Sequence, residues 1–372
     1  MRIGTPKEIK VHEYRVGMTP ASVREAVLHG HEVLVQSGAG AGIGCGDASY
    51  RDAGAEVVAT AKEVFARAEM IVKVKEPQPV ECAMLRAGQI LFTYLHLAPD
   101  LRQANLLQQS GCTAIAYETV TDDRGGLPLL APMSEVAGRM SIQVGATCLQ
   151  KAMGGRGILL GGVPGVLPAR VVILGGGIAG TQAARVAVGM GADVTILDKS
   201  LARLRYLDDI FGFTVRTVYS TMHAVEETTL HADLVIGAVL IPGAAAPKLI
   251  RREHLSRMVP GSVLVDISID QGGCFETSKA TTHQEPTYEV DGIVHYCVAN
   301  MPGAVPHTST VALNNATLPY TLAIADKGWK RACMEDPHLL NGLNINEGKI
   351  TCRMVADALN LDYEPEKELL AA

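Results

Sequence analysis

Residues 169–180 read Ala-Arg-Val-Val-Ile-Leu-Gly-Gly-Gly-Ile-Ala-Gly, and no other stretch constrains the fold as tightly. The β-branched apolar run predicts a buried parallel strand, and Gly175, Gly177 and Gly180 follow it at GxGxxG spacing. A helical stretch from Ile178 to Met190 then leads into a second apolar strand, Ala192 to Asp198, which ends in an acid. Each part has a task in holding a dinucleotide. The first glycine permits a tight turn, the second lets backbone approach a pyrophosphate, and the third lets the helix lie close on the strand. The helix N-terminus, at Ile178 and Ala179, offers free N–H groups and partial positive charge to phosphate. Asp198 accepts hydrogen bonds from a ribose and repels a 2′-phosphate, which favours NAD over NADP. Lys199, Arg203 and Arg205 nearby pull the other way, because a guanidinium accepts a phosphate; Arg203 otherwise stacks on adenine or meets the ribose edge.

With 372 residues and 48% apolar side chains, the chain has material for two domains or one large α/β domain. Net charge is −6 and aromatics are 4%, which argues against a polyanion-binding surface or a base-stacking platform; no nucleic-acid partner is expected. Eight scattered cysteines without a C-x-x-C pair predict buried, reduced thiols rather than a zinc site or disulfide framework. The N-terminus lacks the apolar core of a signal peptide and no unbroken run could span a bilayer, so a cytoplasmic protein without a membrane partner is expected.

The N-terminal part alternates strand and helix. A short strand at Arg2 to Gly4 precedes a polar loop, Lys7 to Val16, and Thr19-Pro20 reads as an N-cap followed by proline at the first helical position. Gly38 to Gly44 lacks the Lys-Ser/Thr ending of a P-loop and reads as a flexible turn. Three later strands end at Lys75, His96 and Glu118. Ligands of open α/β sheets bind outside the carboxyl ends of strands, so these three residues, far apart in sequence, are expected on one rim. Residues 132–155 read as one long helix, and the strands of the nucleotide domain continue at 214–219, 234–240, 262–267 and 294–298. Beyond Pro302-Gly303 the pattern turns helical, over 311–329 and 350–359. These helices need a surface to cover, and we assign them to the N-terminal domain. The expected architecture is α/β, with two Rossmann-like doubly wound domains and a cleft between them. Residues 1–130 plus 305–372 form the substrate (catalytic) domain, and 131–304 the NAD-binding domain with its connecting helix.

A nicotinamide cofactor calls for a substrate that gives or takes hydride and a separate group for the proton. His96 suits the acid/base task because its unperturbed pKa lies near neutrality. Arg15 can grip a carboxylate with two parallel hydrogen bonds and Lys75 adds a second cation, although for Arg15 taken alone a surface salt bridge with Glu13 is the more ordinary use. Asp270 follows the strand 263–267 and can orient water, ammonia or the histidine; a turn acid before Gly272-Gly273 is its plain alternative. Glu118 reads as a tether for Lys75 or Arg15.

The segments Ile3–Lys10, Glu13–Pro20, Lys73–Pro77, Thr93–Pro99, Met133–Arg139, Leu174–Gly180, Val265–Gly273 and Tyr296–Pro306 carry a resemblance. Over nearly its whole length the chain resembles the alanine dehydrogenases. The resemblance implies reversible NAD-dependent oxidative deamination of L-alanine to pyruvate and ammonium. It places Arg15 and Lys75 on the substrate and makes His96 and Asp270 the catalytic pair. It puts nucleotide contacts at Ser134, the turn from Gly177 through Ile178 and Ala179 to Gly180, Asp198, Arg203, Ser220, Val239, Leu240, Ile267, Ser268, Ile269 and Asp270. Lys279, Val298, Ala299, Asn300 and Met301 complete that set. It also implies a homohexamer. Ala323 and Lys327 stand where some relatives carry an acid and a histidine, so no metal site is expected. Two rivals share the glycine turn: the nucleotide-binding subunit of a proton-translocating transhydrogenase, and a non-enzymatic NAD-binding protein. Neither needs the Arg15, Lys75, His96 and Asp270 set.

Overall fold

The computed structural model describes residues 1–239 and 246–365. Leu240, expected among the nucleotide contacts, lies outside the described residues. The chain divides into two compact units, residues 1–133 with 305–372, and residues 134–304.

In the first unit the parallel strands are β1 (Arg2–Thr5), β2 (Glu32–Gln36), β3 (Glu56–Val58), β4 (Met70–Val72), β5 (Ile90–Thr93) and β6 (Thr113–Ala116). They pair in the order β3-β2-β1-β4-β5-β6, the doubly wound order. The second unit repeats it. Its strands are β7 (Arg170–Leu174), β8 (Asp193–Asp198), β9 (Val215–Tyr219), β10 (Leu234–Gly237), β11 (Val263–Asp266), β12 (Thr287–Val290) and β13 (Ile293–Tyr296), in the order β12-β13-β11-β10-β7-β8-β9. Among the described residues only the edge strand β12 runs antiparallel there. Strand order reverses between β1 and β4 in one sheet and between β7 and β10 in the other, and such points open a crevice beyond the strand ends.

Strands buried on both faces need apolar residues throughout rather than alternation. Accordingly β4, β5, β6, β10, β11 and β13 are buried at every position, including His295 of β13. The first core gathers Leu34, Phe65, Ile71, Leu91, Leu107 and Ile345, and the second gathers Val172, Leu197, Val235, Leu264 and Phe275.

Several expectations need correction. The helix at 132–155 is Ala131–Cys148, and a separate short turn, Lys151–Met153, follows it. Periodic apolar residues continue past the true end, but Gly154 adopts φ +86°, which an α-helix does not accommodate. Residues 350–359 are not all helical. Ile350 belongs to β15 (Lys349–Ile350), which pairs with β14 (Leu343–Asn346); β14 adds antiparallel to β6, and the helix begins only at Arg353. The glycine loop 38–44 is packed rather than loose: a Cβ on Gly42 would stand 2.3 Å from the carbonyl oxygen of Tyr14. No helix among the described residues is long and apolar enough to cross a membrane.

Candidate active site

The carboxyl edge of the first sheet carries Arg15, Lys75, His96 and Glu118 on separate connections. Arg15 lies on the long loop after β1. Gly17 presses against β4 so closely that a Cβ would meet the carbonyl oxygen of Val72 at 2.3 Å. The loop is also held from the C-terminal helix Pro306–Lys327: Asn314 Oδ1 accepts the Thr19 N–H and the Ser22 hydroxyl, each at 2.8 Å. Thr19 caps its helix as expected, accepting the Ser22 N–H.

Arg15 is 2% exposed, and Glu13 grips it with two oxygens, one on Nε at 2.7 Å and one on Nη2 at 2.5 Å. The ion pair weighed from the sequence as a surface feature is therefore real, but buried. Burial works against the guanidinium charge, yet Glu13 outweighs it and the Arg15 pKa is raised. The Glu13 carboxylate takes the Nε edge of the fork, and Nη1 points at the Met133 sulfur, 3.0 Å away.

Lys75 Nζ stands 3.5 Å from His96 Nε2. The His96 ring lies stacked on Tyr94, with centroids 5.7 Å apart and planes 11° apart. Tyr94 in turn meets Tyr117 edge-on at 5.1 Å, and Tyr117 meets Phe92 at 4.4 Å. The Tyr94 hydroxyl, donating to the Leu129 carbonyl at 2.6 Å, keeps this stack from turning. Tyr94 was open to sequence reasoning, because residues two apart on an extended segment share a face. His96 itself sits at φ +50°. The Glu118 carboxylate accepts the N–H groups of Leu95 and His96, so its observed bonds secure the histidine's backbone; tethering Lys75 or Arg15 was the expectation.

Beneath this rim lies a charge cluster that sequence reasoning missed. Lys73 is fully buried, with Nζ 3.0 Å from Glu8 and 2.7 Å from Glu81. The second Glu8 oxygen accepts the Val74 N–H at 2.7 Å, which ties the Arg15 loop to the segment leading into Lys75. Burial pushes the Glu8 carboxyl up; it also opposes the Lys73 charge, but the two carboxylates outweigh it and raise that pKa.

In the second unit the anticipated contacts fall at successive strand ends: Gly175 after β7, Asp198 at the end of β8, Ser220 after β9, Val239 after β10, Ile267 to Asp270 after β11, and Val298 to Met301 after β13. Gly175 has φ +101°, and a Cβ on Gly180 would stand 1.8 Å from the Gly175 carbonyl oxygen. A Cβ on Gly177 would meet nothing within 4 Å, which leaves open space at the N-terminus of the helix Ile178–Gly189, where backbone N–H groups favour an anion. Asp198 accepts the Gly176 N–H and the Ser200 N–H, each at 2.8 Å. Arg203 donates to the Gly176 carbonyl and the Thr181 hydroxyl and lies over the Tyr206 ring. Ser134 is half-buried near the start of its helix, Lys279 and Asp270 are exposed, and Asn300 adopts φ +57°.

Residues 4–137 match the family model for the alanine dehydrogenase/PNT N-terminal domain, and residues 141–353 match that for the alanine dehydrogenase/PNT C-terminal domain. The chain belongs to the alanine dehydrogenase/PNT family. Within that family it is 60% identical over 370 residues to the alanine dehydrogenase of Halomonas elongata, with all of both chains covered. It is 54% identical over 371 residues to the alanine dehydrogenase of Bacillus subtilis, covering 100% of this chain and 98% of that one. A solved L-alanine dehydrogenase superposes with a TM-score of 0.94 at 51% identity, over 97% of this chain and 99% of the other. A transhydrogenase from Sinorhizobium meliloti shares the fold, with a TM-score of 0.81 at 24% identity over 95% of this chain and 99% of that one.

Proposed function

We propose that this protein catalyses the reversible NAD-dependent oxidative deamination of L-alanine to pyruvate and ammonium. The observation that carries the reading is the placement of Lys75 Nζ 3.5 Å from His96 Nε2, on the same sheet edge as the buried Arg15. That edge offers cations for a carboxylate beside an imidazole for proton transfer. Full-length relatives named alanine dehydrogenase support it.

NAD, when bound, supplies the acceptor for the hydride that leaves the substrate Cα. Gly177 to Gly180 would hold its pyrophosphate, and Asp198 and Arg203 would hold its adenosine half, with Ser134, Ser220, Val239, Ile267 to Asp270, Lys279 and Val298 to Met301 completing the site. Asp198 keeps lone pairs for ribose hydroxyls beyond those given to Gly176 and Ser200. Arg203 is already spent on the turn's carbonyl and Thr181, so it is not aimed at a 2′-phosphate, and NAD is preferred over NADP.

Arg15 and Lys75 pair with the substrate carboxylate and orient Cα. Water adds to the substrate iminium carbon and gives a proton to His96 Nε2, the ring nitrogen facing Lys75. His96 then returns that proton to the amine nitrogen, the C–N bond breaks as ammonia leaves, and the hydroxyl proton of the carbinolamine passes to the freed His96 Nε2 as the carbonyl forms. Asp270 is the second group we assign to these proton transfers. A homohexamer and a cytoplasmic location accompany this reading. NADH oxidation by pyruvate plus ammonium, against pyruvate alone, tests it. Absence of ammonium-dependent turnover removes the proposal; hydride exchange between nucleotides would favour a transhydrogenase subunit, and NADH binding without turnover a non-enzymatic protein.

A further inference from the structure

A buried carboxylate that no step above uses stands at the end of β11. Asp266 is 0% exposed, and four donors converge on its two oxygens. They are the Ser268 N–H at 3.0 Å, the Cys274 N–H at 2.9 Å, the Ser278 hydroxyl, and the Cys274 thiol at 3.6 Å. All four are neutral groups. Two glycines make room for the carboxylate: a Cβ on Gly273 would stand 2.6 Å from Asp266 Oδ2, and one on Gly237 would stand 3.2 Å from Oδ1.

These bonds fall on either side of Asp270. One secures Ser268 as the chain enters the short helical turn Ile267–Gln271; the others secure Cys274 and Ser278 after it leaves through Gly272 and Gly273, both at positive φ. The Ser268 hydroxyl, donating to the Val239 carbonyl at 2.7 Å, pins the same turn to the end of β10. Asp270, exposed at the tip, is thus set by a loop whose two ends meet on one side chain.

We propose that Asp266 is a positioning residue for Asp270, its buried carboxylate clamping both ends of the 267–278 loop so that Asp270 is presented in one place. The proposal rests on the assignment of Asp270 to the chemistry above. A carboxylate is required because it brings only acceptors. Asparagine has the same volume, but its NH2 would confront a backbone N–H that cannot turn away, leaving a buried donor unsatisfied.

A double-mutant cycle with Asp270→Asn tests this. Alone, Asp266→Asn should lower kcat about 10- to 100-fold, the size of effect expected when a reacting group is misplaced by an ångström or less. The KM for alanine should stay within about threefold, because Arg15 and Lys75 lie outside this loop. In the Asp270→Asn background the same change should cost less than about twofold, since there is no longer a carboxylate to position. A plain loss of folded protein would multiply both backgrounds alike, so equal factors overturn the proposal, as does wild-type kcat in Asp266→Asn. Should Asp266→Asn fail to fold, Ser278→Ala removes one donor and leaves the carboxylate; it should cost about threefold alone and nothing in the Asp270→Asn background, by the same non-additivity. If Asp270→Asn itself keeps wild-type kcat, the catalytic reading of Asp270 fails and takes the proposal with it. If Asp270→Asn is slow but the factors multiply, only the positioning role fails.

Discussion

The Glu118 carboxylate accepts the His96 N–H at 2.6 Å and the Leu95 N–H at 3.1 Å, at a residue held at φ +50°. A left-handed conformation costs a non-glycine residue about 1–2 kcal/mol. Hydrogen bonds to a charged acceptor return about 1.5–3 kcal/mol each, enough to sustain it. The strained backbone turns the imidazole onto Tyr94 and toward Lys75. Glu118→Ala should therefore lower kcat at least about tenfold while NADH binding, followed by fluorescence, is unchanged. His96→Ala should abolish turnover, again with NADH still bound. Near-wild-type kcat in either variant would remove the role given to that residue.

Breaking the buried Glu13–Arg15 pair removes the carboxylate that holds Nε and Nη2 of the guanidinium. Glu13→Ala should cost about 3–5 kcal/mol in urea unfolding, far more than an exposed pair would. Arg15→Lys keeps the charge but loses the fork, so the KM for pyruvate should rise about tenfold or more. An unchanged KM would separate Arg15 from the substrate.

Gly177 and Gly180 are three residues apart and should fail differently. Gly177→Ala points a methyl into open space, so stability should stay within about 0.5 kcal/mol while NADH affinity falls at least about tenfold. Gly180→Ala drives a methyl into the Gly175 carbonyl oxygen, and the helix must shift at a cost of about 1–3 kcal/mol with cofactor binding lost as well. Calorimetry beside a binding titration distinguishes the two.

Asp198→Ala removes the acid at the end of β8 and two bonds that brace the turn. The ratio of kcat/KM for NAD over NADP should fall about tenfold or more, mostly through weaker NAD. An unchanged ratio would place the selectivity elsewhere.

His295 supplies a pH dependence of stability. Its Nδ1 lies 3.0 Å from the Ile293 carbonyl and must donate, while Nε2 lies 2.8 Å from the Thr277 hydroxyl and accepts from it. Burial holds its pKa below the ordinary histidine value. As pH falls through about 6.5 the unfolded chain takes up the proton first, so this contribution is complete above that pH and declines below it, until the folded group also protonates. Urea unfolding at pH 7.5 and 5.5 should show the decline, and His295→Gln should flatten the part of it that belongs to this residue. An identical slope in the variant would assign the dependence to other groups.

Much of the fold was legible because its signals are local. The run Val171 to Leu174, the glycine spacing and the Thr19-Pro20 cap all act over one turn or one strand, so neighbouring residues suffice to read them. β14 and β15 escaped notice because Ile345 and Ile350 sit in short segments whose strand character comes from pairing, of β14 with β6 and of β15 with β14, not from their own pattern. The end of the helix at Cys148 was lost for a related reason: apolar spacing runs on after the backbone has turned.

By itself the sequence determined the two α/β repeats and the dinucleotide-type turn, and it singled out Arg15, Lys75, His96 and Asp270 as candidates. What those residues face was decided by tertiary structure. Glu118 lies 22 residues from His96, and Asn314 lies 295 from Thr19. Asp266 spans its loop by gathering donors from three positions at once. Hydrogen bonds across such distances leave no periodic trace, because periodicity records only which face of one element is buried.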